Sequence, residues 1–244
     1  MNVKLVLEFE GTNYCGWQTQ LNSNSIQDVI ENKLSLLTGE KVDVIGCGRT
    51  DAGVHAKKYT CNFHTNTTIG PEKIYLALNS MLPYDIVALN SKLAGDNFHS
   101  RYNAKLKTYS YTLAMRKVRS AIYKDFCYDI RSNVNIEKMI EASKHMLGYH
   151  DFTVFRNNGS PTKNPNRTIT DIRITKNDNI IKIYITADGF LYNMARIISG
   201  TLLSAAMGKI NPSDIDEMFV TSIRKNACKT LPAHGLCLEE VFYS

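Results

Sequence analysis

Ser25-Ile26-Gln27-Asp28-Val29-Ile30-Glu31-Asn32-Lys33-Leu34-Ser35-Leu36-Leu37-Thr38-Gly39 is the stretch from which the fold class follows. Ser25 and Asp28 stand at the spacing of an N-cap and its acidic third position. Ile26, Val29, Ile30, Leu34 and Leu37 share one helical face, with the stem of Lys33 beside them, and Gly39 supplies the stop. On either side the apolar period shortens to that of strands: residues 3–9 before the helix, and residues 42–45 and 59–64 after it. A second helix opened by Pro71 and running to about Met81, then a strand over residues 85–89, gives the order β-α-β-β-α-β.

The order recurs further along. A strand over 107–115, a helix over 136–147 capped by Asn135, strands over 168–175 and 180–187, a helix over 190–207 and a strand over 236–243 repeat the topology without repeating the sequence. The expected class is α+β: two ferredoxin-like halves, an arrangement that RNA-binding domains also use, joined edge to edge in a broad, mainly antiparallel sheet with helices packed on it. The boundary is predicted near Asn103-Ala104, giving halves 1–103 and 104–244. No Gly/Ser/Pro-rich linker marks it, so the hinge is expected to be stiff.

With 244 residues, 43% of them hydrophobic, the chain can bury a substantial core. It has no uninterrupted apolar run near the ~18–20 residues that cross a bilayer, and the first residues enter a strand pattern directly. The expectation is a cytoplasmic protein with no membrane association. Six cysteines are dispersed and never form C-x-x-C, and six histidines never form H-x-x-x-H, so buried thiols are predicted and no metal site.

Lys and Arg number 29 against 23 Asp and Glu, a net charge of +6. The excess gathers at Lys57-Lys58, from Arg101 to Lys107, at Arg116-Lys117-Val118-Arg119, and from Arg156 through Lys163 to Arg167. Phe98, Tyr102, Tyr109, Tyr111 and Phe155 are interleaved with it. Phosphate neutralisation with aromatic stacking is how proteins hold partly unpaired RNA. The competing reading is a solvated basic face with strand aromatics turned to the core. Residues 157–166, rich in Asn, Pro and Gly, read as a long loop in which Lys163 lies between Arg156 and Arg167.

Between the strands after the first helix lies Gly48-Arg49-Thr50-Asp51-Ala52-Gly53-Val54-His55, a carboxylate beside a guanidinium in a turn bracketed by glycines. Gly46, Gly48 and Gly53 suit a crowded site where backbone or ligand approaches closely. An ordinary Asp turn with a solvated ion pair is the alternative. Three further segments combine charge, aromatics and sharp turns: residues 9–18 (FEGTNYCGWQ), Phe98-His99-Ser100-Arg101, and Phe190-Leu191-Tyr192-Asn193-Met194-Ala195-Arg196.

Together these motifs closely resemble the tRNA pseudouridine synthase A family, whose patterns are G-R-T-D-A-G-V-H, G-T-x-Y-x-G-W-Q and F-x-x-N-M-V-R, with a closing G-L-x-L-x-x-V-x-Y matched by residues 235–243. The resemblance covers nearly the whole chain. It implies isomerisation of uridine to pseudouridine in the anticodon stem-loop of tRNA, with no cofactor, by a homodimer with the RNA lying across both subunits. Asp51 takes the family's catalytic carboxylate position, acting at the sugar of a flipped nucleotide. Attack on C1′, removal of the C2′ proton and, less favoured, addition to uracil C6 remain open at this point.

Arg196 matches the late-helix arginine and is assigned to orient Asp51 and keep it ionised. Tyr109 matches the tyrosine that stacks on the uracil and is placed to take the C5 proton. Arg49 is read as a phosphate contact or an aid in extruding the nucleotide. Lys57, Lys58, Arg101, Arg156, Lys163 and Arg167 complete the expected RNA-binding set. The chain departs from the family pattern at Glu10, Ala195 and Lys57-Lys58, none of which removes a catalytic group. An inactive RNA-binding module and a glycoside hydrolase are the rival classes. The hydrolase normally needs a second carboxylate about 5–10 Å from the first, and no similar motif supplies one.

Overall fold

A computed structural model describes residues 1–21, 23–157, 159 and 164–244. In chain order its elements are β1 (Asn2–Phe9), α1 (Ile26–Thr38), β2 (Val44–Gly46), β3 (His55–His64), α2 (Ile74–Asn79), β4 (Ile86–Ala94), β5 (Leu106–Met115), β6 (Tyr128–Ile130), α3 (Ile136–Lys144), β7 (Gly148–Asp151), β8 (Asn166–Asn177), β9 (Ile180–Ala187), α4 (Met194–Ala206), α5 (Asp214–Thr221) and β10 (Leu236–Phe242). The fold is α+β with mostly antiparallel strand pairing, as the pattern predicts. Two compact units emerge: Met1–Lys105 with Cys237–Ser244, and Leu106–Leu236.

In the first unit, α1 begins and ends where its side chains dictate. Ser25 Oγ accepts the Asp28 N–H at 3.1 Å and donates to the Asp28 carboxylate at 2.6 Å, while Gly39, at φ 73°, returns its N–H to Ser35 O at 3.0 Å. Ile26, Ile30 and Leu34 are fully buried, as are Val3, Leu5 and Leu7 of β1. The strand order is β4-β1-β3, with Leu5 facing Ser91 on one side and Cys61 on the other.

The far edge of β3 is divided. β2 pairs antiparallel with it from Val44↔Phe63 to Gly46↔Cys61, and β10 pairs parallel with it at Cys237↔His55 and Leu238↔Ala56. The closing strand, which sequence order assigns to the second half, is therefore counted with the first unit, because β2 is too short to cover the His55 end of that edge.

Other boundaries differ from expectation for local reasons. α2 starts at Ile74, after a turn closed by the Lys73 N–H on Gly70 O at 2.8 Å, and stops at Asn79, whose side-chain amide bonds both the N–H and the C=O of Ala88 at 2.8 Å. β4 runs on to Ala94 because its ladder with β1 continues to Asn2↔Ala94.

The second unit has the antiparallel order β5-β9-β8-β7, with β6 parallel to β5. β9 alternates buried and half-buried residues, with Ile181, Ile183, Ile185 and Ala187 inward. α3 is capped by Asn135, whose side chain accepts the Lys138 N–H at 2.8 Å. α4 begins at Met194 rather than 190, because Asn193 adopts the left-handed conformation (φ 61°) and the chain before it turns. β6, β7 and α5 are present in addition to the elements that the sequence pattern predicts. Among the described residues no helix is long and apolar enough to cross a membrane.

One buried polar chain ties the first sheet to the turn that follows β4. Asn62 on β3 donates to Asn2 Oδ1 at 3.0 Å and accepts from the N–H and hydroxyl of Ser100 at 2.8 and 2.6 Å, while Asn2 donates to Gly95 O and Phe98 O at 3.0 Å. All three side chains are fully buried. Asn62→Ala strands the Ser100 N–H and an Asn2 oxygen without partners, and is expected to cost about 2–4 kcal/mol, read as a lowered urea midpoint.

Candidate active site

The Asp51 loop is held from beneath by the segment that follows β1. Gly11 and Gly16 approach it so closely that an added Cβ would lie 2.0 Å from Val54 O and 2.2 Å from Thr50 O, respectively, and Gly16 also needs φ +91°. Glycine is the residue that meets both demands. Around these contacts the Trp17 N–H bonds Thr50 O at 3.3 Å, the Gly53 N–H bonds Tyr14 O at 3.4 Å, and the Gly11 N–H bonds His55 Nδ1 at 3.1 Å. Val54 N–H closes the turn on Asp51 O at 3.2 Å.

Aromatic rings fix the loop's entry. Trp17 stacks on Tyr59 with centroids 4.0 Å apart, and the Tyr59 hydroxyl donates to Gly48 O while receiving the Gly48 N–H at 3.4 Å. Tyr14 is anchored by its hydroxyl on Asp85 at 2.6 Å. Burial first, then that hydrogen bond and the Asp85 charge, push its phenol well above the ordinary range. The sequence marks Gly11, Gly16 and Trp17 through the motif they share. It gives no signal that Tyr59 closes the clamp.

Within the loop Asp51 is half-buried and Arg49 is exposed, with its Nε 3.4 Å from Gln18 Oε1. Thr50 between them is buried, and its hydroxyl has no hydrogen-bond partner among the described residues. Lys57 and Lys58 on β3 are exposed and form ion pairs with Glu239 and Glu240 of β10, each at 2.9 Å. Arg101 is exposed in the turn after β4, its guanidinium 5.8 Å from the Tyr102 ring centre, with His99 packed on the other residues of that turn.

In the second unit Tyr109 and Tyr111 share a face of β5 but have different roles. Tyr111 is fully buried, with its hydroxyl on Pro232 O at 2.8 Å, and burial drives its phenol far above the usual range. Tyr109 keeps 9% of its surface exposed and meets the edge of Phe190 at 4.8 Å. Both tyrosines are buried, Tyr111 completely and Tyr109 slightly less so. Arg196 is half-buried in the first turn of α4, with Nε on Leu231 O at 2.7 Å, near enough to Tyr111 for its charge to favour the phenolate.

Arg156 is half-buried, with its N–H on Thr153 O at 3.2 Å. Arg167 bends back onto the carbonyls of Asn164 and Asn166, where burial lowers its proton affinity against the opposing charge of Asp188. Lys163 lies outside the described residues, as do 158 and 160–162 of its loop. Asp51, Arg49, Lys57, Lys58 and Arg101 thus belong to the first unit, and Tyr109, Arg156, Arg167 and Arg196 to the second. Among the described residues no cluster of three His, Cys, Asp or Glu could hold a metal.

Thr50→Val removes a buried hydroxyl that no group among the described residues satisfies and leaves the side chain's shape almost unchanged. It is expected to raise stability by about 1–2 kcal/mol, measured as an increased urea midpoint.

The family described as tRNA pseudouridine synthase matches residues 5–103 and 142–244, spans that contain Asp51 and Arg196; Tyr109 lies between them. A protein of Clostridium acetobutylicum named tRNA pseudouridine synthase A is 53% identical over 242 residues, covering 99% of each chain. Proteins of Clostridium perfringens (tRNA pseudouridine synthase A 2) and Acetivibrio thermocellus (tRNA pseudouridine synthase A) are each 46% identical over the same length, again with 99% of both chains covered. With a glycine-clamped aspartate loop and a match that runs from end to end, the chain belongs to the tRNA pseudouridine synthase family.

Proposed function

We propose that this chain converts uridine to pseudouridine in the anticodon stem-loop of tRNA, with Asp51 as the carboxylate that works at the sugar of a flipped nucleotide. The observation that carries the reading is the Asp51 loop itself, whose backbone is fixed at Gly48, Thr50, Gly53 and Val54 while the aspartate side chain stays partly open to solvent. Isomerisation detaches uracil from C1′ and rejoins it through C5. That chemistry needs an anionic group at the anomeric carbon and no external electron carrier. Attack on C1′ and abstraction of the C2′ proton draw on the same carboxylate, and a fixed backbone presents it with little reorganisation.

Arg196 is assigned as the partner that keeps Asp51 ionised once RNA displaces water. A carboxylate enclosed in a drying site otherwise takes up a proton. Tyr109, nearly buried and in edge-to-face contact with Phe190, is assigned to supply a ring for the uracil and a hydroxyl for the late proton transfer from C5. Arg49 and Arg101, both exposed, are the phosphate contacts with the least competition from neighbouring side chains. Lys57 and Lys58 contribute from existing ion pairs, and Arg156, Lys163 and Arg167 are assigned as further phosphate contacts. In this reading the enzyme is a cytoplasmic homodimer, which rests on resemblance to the family.

Asp51→Asn preserves shape and removes the charge. Pseudouridine formation in single turnover should fall by about 10³-fold or more, while tRNA affinity and melting stay near wild type, because binding energy is spread over phosphates and stacked bases. Normal turnover would refute the mechanism, and release of free uracil by the wild-type protein would make it a hydrolase. Tyr109→Phe keeps the ring and should bind RNA normally while turning over about 10²-fold more slowly. Full activity would leave stacking as the tyrosine's role.

A further inference from the structure

A further arginine of the second unit, in addition to Arg156, Arg167 and Arg196, is half out of water and pairs with no acidic group among the described residues. Arg224 lies in the turn Arg224–Asn226, and each of its bonds ends on a neutral acceptor. Nε donates to Asn157 Oδ1 at 2.9 Å, Nη1 to Ala227 O and Cys228 O at 3.3 Å each, and Nη2 to Thr230 Oγ1 at 2.9 Å. Burial lowers its proton affinity, opposed only by the Cys228 thiol. A partly desolvated cation that meets only neutral acceptors costs stability, and what it supplies in return is a set of four bonds that hold other segments in place.

The bonds lead to Arg196 by two routes. Asn157, held by Arg224, donates to Asn193 Oδ1 at 2.8 Å, and its own N–H bonds Tyr192 O at 3.3 Å. Asn193 is the left-handed residue from which α4 starts, three positions before Arg196. By the second route, Arg224 grips residues 227, 228 and 230 of the strap whose next residue, Leu231, accepts Arg196 Nε at 2.7 Å and returns its N–H to Arg196 O at 3.4 Å. The start of the helix and the carbonyl that aims the guanidinium therefore share one anchor.

We propose that Arg224 is a positioning residue for Arg196 in the isomerisation, acting through the 227–231 strap and the Asn157–Asn193 amide pair. The inference rests on Arg196 being the partner of Asp51. Loss of the anchor lets the Arg196 guanidinium drift, and a misplacement of about 1 Å can cost about 10²-fold in rate without weakening binding contacts elsewhere.

The test is a double-mutant cycle on the full chain, read by single-turnover pseudouridine formation on an anticodon stem-loop RNA, with RNA affinity and melting measured for every variant. Arg224→Met keeps the stem and removes the donor fork. Asn157→Ala cuts the link to Asn193, together with the 3.5 Å bond from the same amide to Thr230 Oγ1, and leaves the bonds that Arg224 itself makes to the strap. Arg196→Lys keeps the charge, removes the Nε bond to Leu231 and supplies the measurable background. The expected result is slowing by about 10²-fold for Arg224→Met and about tenfold for Asn157→Ala, with affinity within about twofold of wild type, and little further slowing by either in the Arg196→Lys background.

A wild-type rate for Arg224→Met overturns the proposal, as does a slowing that multiplies undiminished on top of Arg196→Lys, which marks a purely structural role. If Arg224→Met does not fold, Asn157→Ala decides, and its full activity overturns the proposal. Fully active Arg196→Ala refutes the Arg196 reading together with this one. Inactive Arg196→Ala beside fully active Arg224→Met refutes the positioning role alone.

Discussion

The close approach of Gly11 and Gly16 to the carbonyls of Val54 and Thr50 is the constraint on which the Asp51 loop depends. Two chain segments meet there with no room for a methyl group. The contact both removes side chains from one segment and fixes the path of the other. The bonds from Trp17, Gly53 and Gly48 then need only modest strength, because steric exclusion has already eliminated other paths. A loop held this way differs from an ordinary surface turn, where backbone freedom would have to be lost when substrate binds. The rigidity is built from backbone contacts, leaving the aspartate side chain as the part still able to respond to RNA.

The second unit fixes Arg196, the proposed partner of Asp51, by other means. Arg196 is aimed by a carbonyl on a strap, and the strap is held by hydrogen bonds from Arg224 to neutral oxygens. Carbonyl acceptors orient a guanidinium without neutralising it, whereas a structural carboxylate would compete for it. The arrangement is more easily damaged than the glycine clamp, since it runs through several side chains, each of which can be lost singly. It also places the cost of a partly desolvated cation on the scaffold.

Much of this was legible where the signal is local. The cap of α1 by Ser25 and Asp28 and its stop at Gly39 are chemistry between near neighbours, and the structure has them where the pattern predicts. The limits of β9 are likewise the ones expected, because its alternation is regular. The start of α4 was misplaced by four residues. Nothing at Phe190 says that Asn193 will turn left-handed and be held by Asn157, a residue far away in sequence. β6 and β7 are too short to carry a period, and β10 finds its place on β3 by a parallel pairing that depends on how much edge β2 leaves uncovered. α5 carries local signals as well, with Pro212 and Ser213 before an acidic first turn at Asp214, Asp216 and Glu217. At the site, glycine spacing exposed the Asp51 loop and motif likeness suggested Tyr109 and Arg196. Arg224, between Ile223 and Lys225, reads in sequence as ordinary surface charge.

The basic residues show why a charge count overstates an RNA footprint. Lys57 and Lys58 stand out in the sequence as an adjacent pair, yet each meets a glutamate from β10, and Arg167 has turned to its own backbone. Exposed ion pairs are worth only about 0–1 kcal/mol, so RNA can take such lysines from their partners at small cost. The glutamates remain nearby, however, and repel the phosphate that displaces them, so each such exchange adds less attraction than the formal charge suggests. Arg49 meets the Gln18 amide and Arg101 the Tyr102 ring, neither of them an acid, and both sit in turns rather than on a paired strand. The positive field available to an anionic substrate is therefore concentrated in fewer side chains than the net charge of +6 implies, and one of them, Arg49, lies two residues from Asp51, the carboxylate proposed to work at the sugar.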